Sequence, residues 1–199
     1  KKFGTKNNYI LTNKNYKKGI KKKYKTININ NSTSMLETIQ KSLKYLDNKK
    51  NFFISSCDCF GIFDKSKFFE LIKKRNPDVI LFVFKVSNFQ KKLTNSHTIM
   101  NIKKNNITSI DVKKSNFQSK LGHAGFFWIK DSKVLKLVQK FKTNFKFKRE
   151  PLLDDYFKHL FQRKEFKVNC FKVDNYVHIG SLSEYKEIKY WENYFKNAN

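Results

Sequence analysis

Apolar residues change their spacing several times along this chain of 199 residues, and each change predicts a new secondary-structure element. The segment Val79–Phe84 is apolar at every position, which is typical of a central strand covered on both faces. The shorter run Phe52–Ser55 ends in small polar residues, and residues 57–59 then form a loop before a helix that contains Phe68. This order predicts a β-loop-α unit followed by a buried strand.

The remaining elements follow from the same patterns of apolar spacing. Short strands are predicted at residues 7–12, 98–102, 107–112, 125–129 and 166–170. Helices are predicted to begin near Ser34, Asp131, Pro151 and Ser181, and both serines precede a Glu at the spacing of a capping box. Because strands and helices alternate without a repeat or a linker, residues 1–199 are predicted to form one α/β domain with helices on both sides of its sheet.

The chain is strongly basic, with 43 Lys and Arg residues against 16 Asp and Glu residues and a net charge of +27 at pH 7. Such a charge first indicates a polyanionic partner. The excess is mostly lysine, however, and it is spread along the whole chain rather than concentrated with arginine and aromatic residues on one element. No specific nucleic-acid partner is therefore expected, and any polynucleotide binding should be weak and sensitive to salt.

Cysteine content and hydropathy indicate the compartment. Three cysteines, of which Cys57 and Cys59 are separated by a single residue, make a poor disulfide framework, so a reducing environment is expected. No apolar run approaches the roughly 18 residues needed to cross a membrane, and no signal peptide is recognisable at the start. The protein is therefore predicted to be cytoplasmic and soluble, with no membrane partner.

Asp58 is the first candidate for chemistry because it comes directly after a predicted buried strand. In open α/β sheets, ligands bind just beyond the carboxyl ends of the strands. An aspartate in that position can hold a metal ion, but an aspartate in a strand-to-helix loop also serves as a turn former or a helix cap. Asp58 alone does not decide between these roles.

Several short motifs occur together in an order that limits the choice. They are Ser55-Ser-Cys-Asp58, Ile107-Thr-Ser-Ile110-Asp-Val-Lys113, Gly125-Phe-Phe-Trp128, Glu150 before a helix, and Ile179-Gly180-Ser-Leu-Ser-Glu-Tyr185. Their order and spacing, over nearly the whole chain, resemble the sugar-1-phosphate nucleotidyltransferases, which make nucleotide-activated sugars. No single motif is specific, so the resemblance rests on the set.

The resemblance implies a three-layer α/β/α, Rossmann-like (GT-A-like) nucleotidyltransferase fold with a mixed, mostly parallel sheet. It also implies transfer of a nucleoside monophosphate from a nucleoside triphosphate to a sugar 1-phosphate, in nucleotide-sugar and surface-polysaccharide biosynthesis. By the same resemblance, Asp58 would hold Mg²⁺, and Lys113, or Lys114 one register along, would neutralise the sugar phosphate. Gly125 and Glu150 would hold sugar hydroxyls.

The chain departs from the family pattern where Ser34 replaces a glycine and Val112 replaces a glutamate, and also at its metal site and its opening loop. His178 stands where the second metal-binding carboxylate is expected, although magnesium prefers oxygen ligands. The family's glycine-rich opening loop, which binds the triphosphate, has no counterpart here. The domain is therefore expected to be incomplete at its N-terminus, and this chain by itself is not expected to catalyse the transfer reaction.

Two other functions stay open from the sequence. A nucleotide-sugar-dependent glycosyltransferase shares this topology but normally has a second acid close to its metal-binding aspartate, and Asp64 is the nearby acidic residue. A truncated or inactive relative would keep the fold as a binding module. A zinc site is not expected, because no pair among the three cysteines and four histidines shows zinc-finger spacing.

Overall fold

The computed structural model describes residues 9–12, 25–29, 32–45, 51–86, 98–103, 106–112, 121–138, 140–141 and 149–197. The chain divides into two compact units. The first unit comprises Lys1–Lys50 and Asp131–Phe157, and the second comprises Asn51–Lys130 and Lys158–Asn199. The single domain predicted for residues 1–199 stays a prediction.

Strands and helices alternate along much of the described chain, as the apolar spacing predicts. The strands are β1 (Tyr9–Thr12), β2 (Lys25–Asn28), β3 (Phe52–Ser55), β4 (Cys59–Ile62), β5 (Val79–Lys85), β6 (Ile99–Lys103), β7 (Asn106–Asp111), β8 (Leu121–Ile129), β9 (Val168–Lys172) and β10 (Asn175–His178). The helices are α1 (Met35–Ser42), which a 3-10 turn at Leu43–Tyr45 extends, α2 (Lys65–Arg75), α3 (Lys133–Lys136), α4 (Leu153–Arg163) and α5 (Leu182–Asn197).

In the first unit, β1 and β2 form a two-stranded parallel sheet, and α1 begins after the N-cap residue Ser34. The Ser34 hydroxyl accepts a hydrogen bond from the backbone N–H of Glu37 (3.2 Å), which confirms the capping role predicted for it. Leu36 and Ile39 of α1 are buried. The capping signal and the apolar stripe therefore place this helix as the sequence predicts.

The second unit is built on a mixed sheet whose strands lie in the order β7-β6-β8-β5-β9, with β3 paired to β8. Strands β3, β5, β6 and β9 run in one direction, and β7 and β8 run in the other. The prediction of a mixed α/β fold is therefore confirmed, but the sheet is not mostly parallel, because among its described strand pairs only β5 and β9 run parallel. Because the long strand β8 is reversed in the middle of the sheet, β5 and β9 form the parallel pair of neighbours within it.

The core of the second unit is a cluster of aromatic rings around β5. All residues from Val79 to Phe84 are buried, as predicted for a central strand. Phe82 of β5 contacts Phe68 of α2, with ring centroids 5.4 Å apart. Further aromatic side chains surround this pair, namely Phe53, Phe63, Phe126, Trp128 and Phe171. The cluster holds α2 against the sheet and so fixes the segment between β3 and this helix.

A short strand occupies part of a segment that the sequence predicts as a loop. β4 begins at Cys59 and pairs with β10 in a two-stranded antiparallel sheet. The prediction of a loop at residues 57–59 is therefore wrong for Cys59, which belongs to β4. Helix α2 comes after this strand and does not directly follow the loop. The four residues of β4 are too few to show a period, and their partner strand lies far away in the sequence.

The C-terminal helix α5 begins as predicted. The Ser181 hydroxyl accepts a hydrogen bond from the N–H of Glu184 (3.2 Å) and donates one to its carboxylate (2.8 Å). No residue of α5 is buried, although the helix carries the large side chains of Trp191 and Phe195.

None of the helices in the described part of the chain combines the length and the apolar character needed to span a membrane.

Candidate functional site

Asp58 lies just beyond the carboxyl end of β3, as predicted from the sequence. The N–H of Ser56, directly after that strand, donates a hydrogen bond to the carbonyl of Gly125 (3.1 Å). The carbonyl of Asp58 accepts a hydrogen bond from the N–H of Ile179 (2.7 Å). These backbone bonds hold the Asp58 segment between β8 and the end of β10, while the Asp58 side chain stays 41% exposed.

Cys59, the residue after Asp58, lies directly opposite His178 in the β4–β10 pair. Side chains of opposite residues lie on the same face of a sheet. One oxygen of the Asp58 carboxylate is 3.5 Å from His178 Nε2, and the other accepts a hydrogen bond from the Cys59 thiol (3.4 Å). One ligand atom from each residue lies within 4.8 Å of the others, so these three form a cluster that can hold a metal ion.

Glu184, at the start of α5, orients the imidazole of His178. Nδ1 of His178 lies 3.1 Å from one carboxylate oxygen of Glu184, and the other oxygen accepts hydrogen bonds from the Gly180 N–H (3.0 Å) and the Ser181 hydroxyl (2.8 Å). Burial alone would raise the pKa of Glu184, but the hydrogen bonds from His178 and Ser181 outweigh it and lower this pKa. The other ring nitrogen, Nε2, faces the Asp58 carboxylate at 3.5 Å.

Cys59 is partly buried beside Tyr176 of β10. Its Sγ lies 3.5 Å from the Tyr176 hydroxyl, and the Tyr176 ring stacks on Phe84 with a centroid separation of 3.9 Å. Burial, reinforced by the Asp58 carboxylate, raises the pKa of the Cys59 thiol to about 12. The thiol is therefore protonated at neutral pH, which argues against a role for Cys59 as a nucleophile.

Gly125 occupies a bulge of β8. The register between β8 and β5 shifts between Leu81 and Val83, and Gly125 lies in this bulge with a φ of +73°. Such a φ favours glycine because in other residues Cβ would crowd the backbone. A Cβ at Gly125 would also lie 2.9 Å from Cys59 Sγ and 3.3 Å from Ser56 Oγ. The missing side chain therefore lets β8 run directly beside the cluster.

Replacing Gly125 with Ala is expected to destabilise the protein by about 1–3 kcal/mol, because it adds both backbone strain and a close contact. Chemical unfolding followed by circular dichroism measures this loss. Adding Cys59→Ala removes the 2.9 Å contact with sulfur, so the double variant should lose less stability than the two single variants lose in sum. An unchanged free energy of unfolding in Gly125→Ala would contradict the left-handed backbone at this position.

Glu150 belongs to the first unit, where its carboxylate accepts a hydrogen bond from the N–H of Met35 (3.3 Å). Met35 is the first residue of α1, and a helix N-terminus favours negative charge. The predicted contact of Glu150 with sugar hydroxyls stays a prediction. Lys113 and Lys114 lie outside the described residues, so their predicted contact with the sugar phosphate stays a prediction as well.

Asp64, the acid considered for a glycosyltransferase, has a structural role. Its carboxylate accepts hydrogen bonds from the N–H groups of Ser66 (2.8 Å) and Lys67 (3.2 Å), so it is the N-cap of α2. Aspartate is among the preferred residues at this position. Within the described chain, the cluster around Asp58 contains no second acid as a ligand, because its other members are a cysteine and a histidine.

Strand pairing, rather than spacing along the chain, brings the members of this cluster together. A zinc site is not expected from the sequence because no cysteine or histidine pair has the spacing of a zinc finger. Cys59 and His178 meet instead as cross-strand neighbours. The signal that was present in the sequence is a cysteine next to the candidate metal aspartate, with a histidine in place of the second carboxylate.

The donor set of the cluster differs from the set that magnesium prefers. Mg²⁺ takes hard oxygen ligands in near-octahedral geometry. The cluster offers one carboxylate, one sulfur and one imidazole nitrogen, a combination that suits zinc and related ions. The Mg²⁺ implied by the resemblance therefore does not fit these three residues as a set.

Several solved structures are similar to this chain. The inositol-1-phosphate CTP transferase from T. maritima matches with a TM-score of 0.61 and 16% identity, covering 87% of this chain and 70% of that chain. UDP-glucose pyrophosphorylase complexed with UDP-glucose matches with a TM-score of 0.64 and 15% identity, covering 87% and 66% respectively. The nucleoside-diphosphate-sugar pyrophosphorylase from Vibrio cholerae RC9 matches with a TM-score of 0.60 and 13% identity, covering 82% and 67%.

Sequence comparison gives no corresponding match. Neither a protein-family model nor a curated protein sequence matches this chain. The likeness to the three solved structures, at identities of 13–16%, is therefore a likeness of fold. It confirms the fold class predicted from the sequence. This chain has the fold of the sugar-phosphate nucleotidyltransferases.

Proposed function

We propose that this protein is a sugar-1-phosphate nucleotidyltransferase, which transfers a nucleoside monophosphate from a nucleoside triphosphate to a sugar 1-phosphate. The observation that supports this most is the position of Asp58 within the nucleotidyltransferase fold. Its partly exposed carboxylate lies beyond the carboxyl end of β3, where α/β sheets bind ligands. Gly125 lies beside the next residue, Cys59, where a Cβ would come within 2.9 Å of the sulfur.

In the proposed reaction, an oxygen of the sugar 1-phosphate attacks the α-phosphorus of the triphosphate. A new phosphorus–oxygen bond forms, the bond to the bridging oxygen of the β-phosphate breaks, and pyrophosphate leaves with the electron pair. This reaction needs no covalent intermediate with the protein, so the chain contributes positioning and neutralisation of charge. A net charge of +27 suits substrates that carry several negative charges.

The candidate residues have separate parts in this proposal. Asp58 is a ligand for a divalent cation, which when bound neutralises phosphate charge. Lys113 or Lys114 neutralises the sugar phosphate. Gly125 and Glu150 contact the hydroxyls of the sugar. Of these residues, Asp58 has the fewest substitutes, because the cluster it belongs to in the described chain holds no other carboxylate ligand.

The setting of the reaction is part of the proposal. Residues 1–199 belong to one nucleotidyltransferase-like domain, incomplete at its N-terminus, of a protein that supplies nucleotide-activated sugars for surface-polysaccharide biosynthesis in the cytoplasm. All three cysteines are free thiols, which fits a reducing compartment.

Pyrophosphate release by the full-length gene product tests the proposal. Each common nucleoside triphosphate is combined with a panel of sugar 1-phosphates and a divalent cation, and release is followed by a coupled assay. Release is expected with one pair of substrates and should fall to background when either substrate is omitted. Release of a nucleoside diphosphate from a nucleotide sugar, in the presence of an acceptor, would assign a glycosyltransferase instead. Sugar-phosphate binding without release would assign a binding module.

A further inference from the structure

We propose that Asp58, Cys59 and His178 form a binding site for Zn²⁺ rather than for Mg²⁺. The binding claim stands on these three side chains, whereas the use of the ion in nucleotidyl transfer rests on the proposed function. The chain would then combine a nucleotidyltransferase fold with a metal site that contains sulfur and nitrogen as well as oxygen.

The distances within the cluster are close to those around a zinc ion. Tetrahedral Zn²⁺ with bonds of about 2.0–2.3 Å places its ligand atoms roughly 3.3–3.7 Å apart. The Cys59 sulfur is 3.4 Å from one Asp58 oxygen, and His178 Nε2 is 3.5 Å from the other. These two distances go to different oxygens of Asp58, and one ligand atom from each residue lies within 4.8 Å of the others. The side chains therefore have to move closer together to share one ion, which leaves a fourth position for water or substrate.

The residues around the cluster prepare its ligands for a metal ion. Histidines that bind metals usually donate their second ring N–H to a carboxylate, which fixes the tautomer and the ring orientation. Glu184 provides this carboxylate, 3.1 Å from His178 Nδ1, and it is itself held by the Gly180 N–H and the Ser181 hydroxyl. Nε2 of His178 is therefore the nitrogen presented to the ion.

The backbone fixes the positions from which the ligands reach the ion. Cys59 and His178 are paired across β4 and β10, and the carbonyl of Asp58 accepts a hydrogen bond from Ile179, the residue after His178. The missing side chain of Gly125 leaves the sulfur uncrowded, because a Cβ there would lie 2.9 Å from it. The folded chain thus brings the three ligands together before any ion binds.

When the ion binds, it replaces the proton on the thiol of Cys59. The Cys59 sulfur donates its electron pair to Zn²⁺, and its proton passes to solvent. His178 would bind through Nε2 and Asp58 through a carboxylate oxygen. One proton is released for each ion that binds through this sulfur.

Titration with Co²⁺ tests the site without reference to activity. Co²⁺ takes tetrahedral zinc sites and reports a thiolate ligand by a sulfur-to-cobalt charge-transfer band in the near ultraviolet. The full-length protein is expected to develop this band, and Zn²⁺ in equimolar amount should abolish it, whereas excess Mg²⁺ should not. Displacement of Co²⁺ by Mg²⁺ as readily as by Zn²⁺ would overturn the proposal.

Two cysteine variants provide the matched comparison. Cys59→Ser should remove the charge-transfer band and weaken Zn²⁺ binding by more than about 100-fold, which exceeds the usual effect of losing an outer-shell partner. Cys57→Ser changes an exposed thiol next to Asp58 and should leave both unchanged. A band that persists in Cys59→Ser, with folding confirmed by circular dichroism, would contradict the assignment of the sulfur ligand.

Glu184→Gln tests the orientation of His178, and it should weaken Zn²⁺ binding by about 10–100-fold.

The outcomes of these titrations are distinguishable from those of the activity assay. Pyrophosphate release supported by Mg²⁺ in a protein that shows no cobalt band would reject the zinc site and keep the proposed function. A cobalt band in a protein that releases no pyrophosphate would keep the zinc site and reject the proposed function.

Discussion

Replacing Asp58 with Asn is expected to lower pyrophosphate release by at least about 100-fold while the protein stays folded. The substitution keeps the shape of the side chain but removes the negative charge that a cation near the phosphates requires. The fold should survive because the hydrogen bond from the Ile179 N–H goes to the backbone carbonyl of Asp58. The side chain is also 41% exposed, so no core packing is lost.

Asp64→Asn is the matched control for this variant. Asp64 caps α2 through its carboxylate, and asparagine is an equally good N-cap residue. This control should keep both its activity and its stability. Steady-state release of pyrophosphate and thermal unfolding, measured on both variants, check the prediction. Wild-type turnover in Asp58→Asn would remove Asp58 from the active site, and an equal loss in Asp64→Asn would indicate a general effect of surface charge.

Replacing Phe68 with Ala is expected to lower the free energy of unfolding by about 3–5 kcal/mol. Phe68 is fully buried, and its ring contacts those of Phe53, Phe82 and Phe171 at centroid separations of 5.4–5.6 Å. Truncation would leave a cavity between α2 and the sheet, and rigid neighbouring rings can fill such a cavity only in part. This is the largest stability effect that we expect from a single substitution.

Phe69→Ala is the comparison for Phe68→Ala, because it removes the same side chain from the next residue of the same helix. Phe69 is 56% exposed, so its loss should cost about 0.5 kcal/mol or less. Urea unfolding followed by tryptophan fluorescence and circular dichroism measures both variants. Equal stability losses in the two variants would contradict the packing of α2 against β5.

Elements with strong local signals could be predicted from the sequence. The continuous apolar run of β5 and the serine–glutamate pairs that open α1 and α5 depend on residues close together in the chain. Their burial and capping are as predicted. Asp58 could be placed beyond the end of β3 for the same reason, because a strand and the loop after it are local features.

The rest of the site depends on pairing between distant segments. The β4–β10 ladder sets Cys59 opposite His178, and neither short strand is long enough to show a period. The bulge that gives Gly125 its φ of +73° appears only when β8 is aligned with β5. Glu184 could be predicted as a capping residue, but its contact with His178 requires the end of β10 to meet the start of α5.

The most direct measurement of the central proposal follows the α-phosphorus of the nucleotide. The full-length protein is incubated with a nucleoside triphosphate labelled at that atom, a sugar 1-phosphate and a divalent cation, and the products are separated. The proposed function predicts that the label appears in a nucleoside-diphosphate sugar in amounts equal to the pyrophosphate released, and that Asp58→Asn forms this product at least about 100-fold more slowly. Label that is found only in free nucleotide, with or without the sugar phosphate, would contradict nucleotidyl transfer.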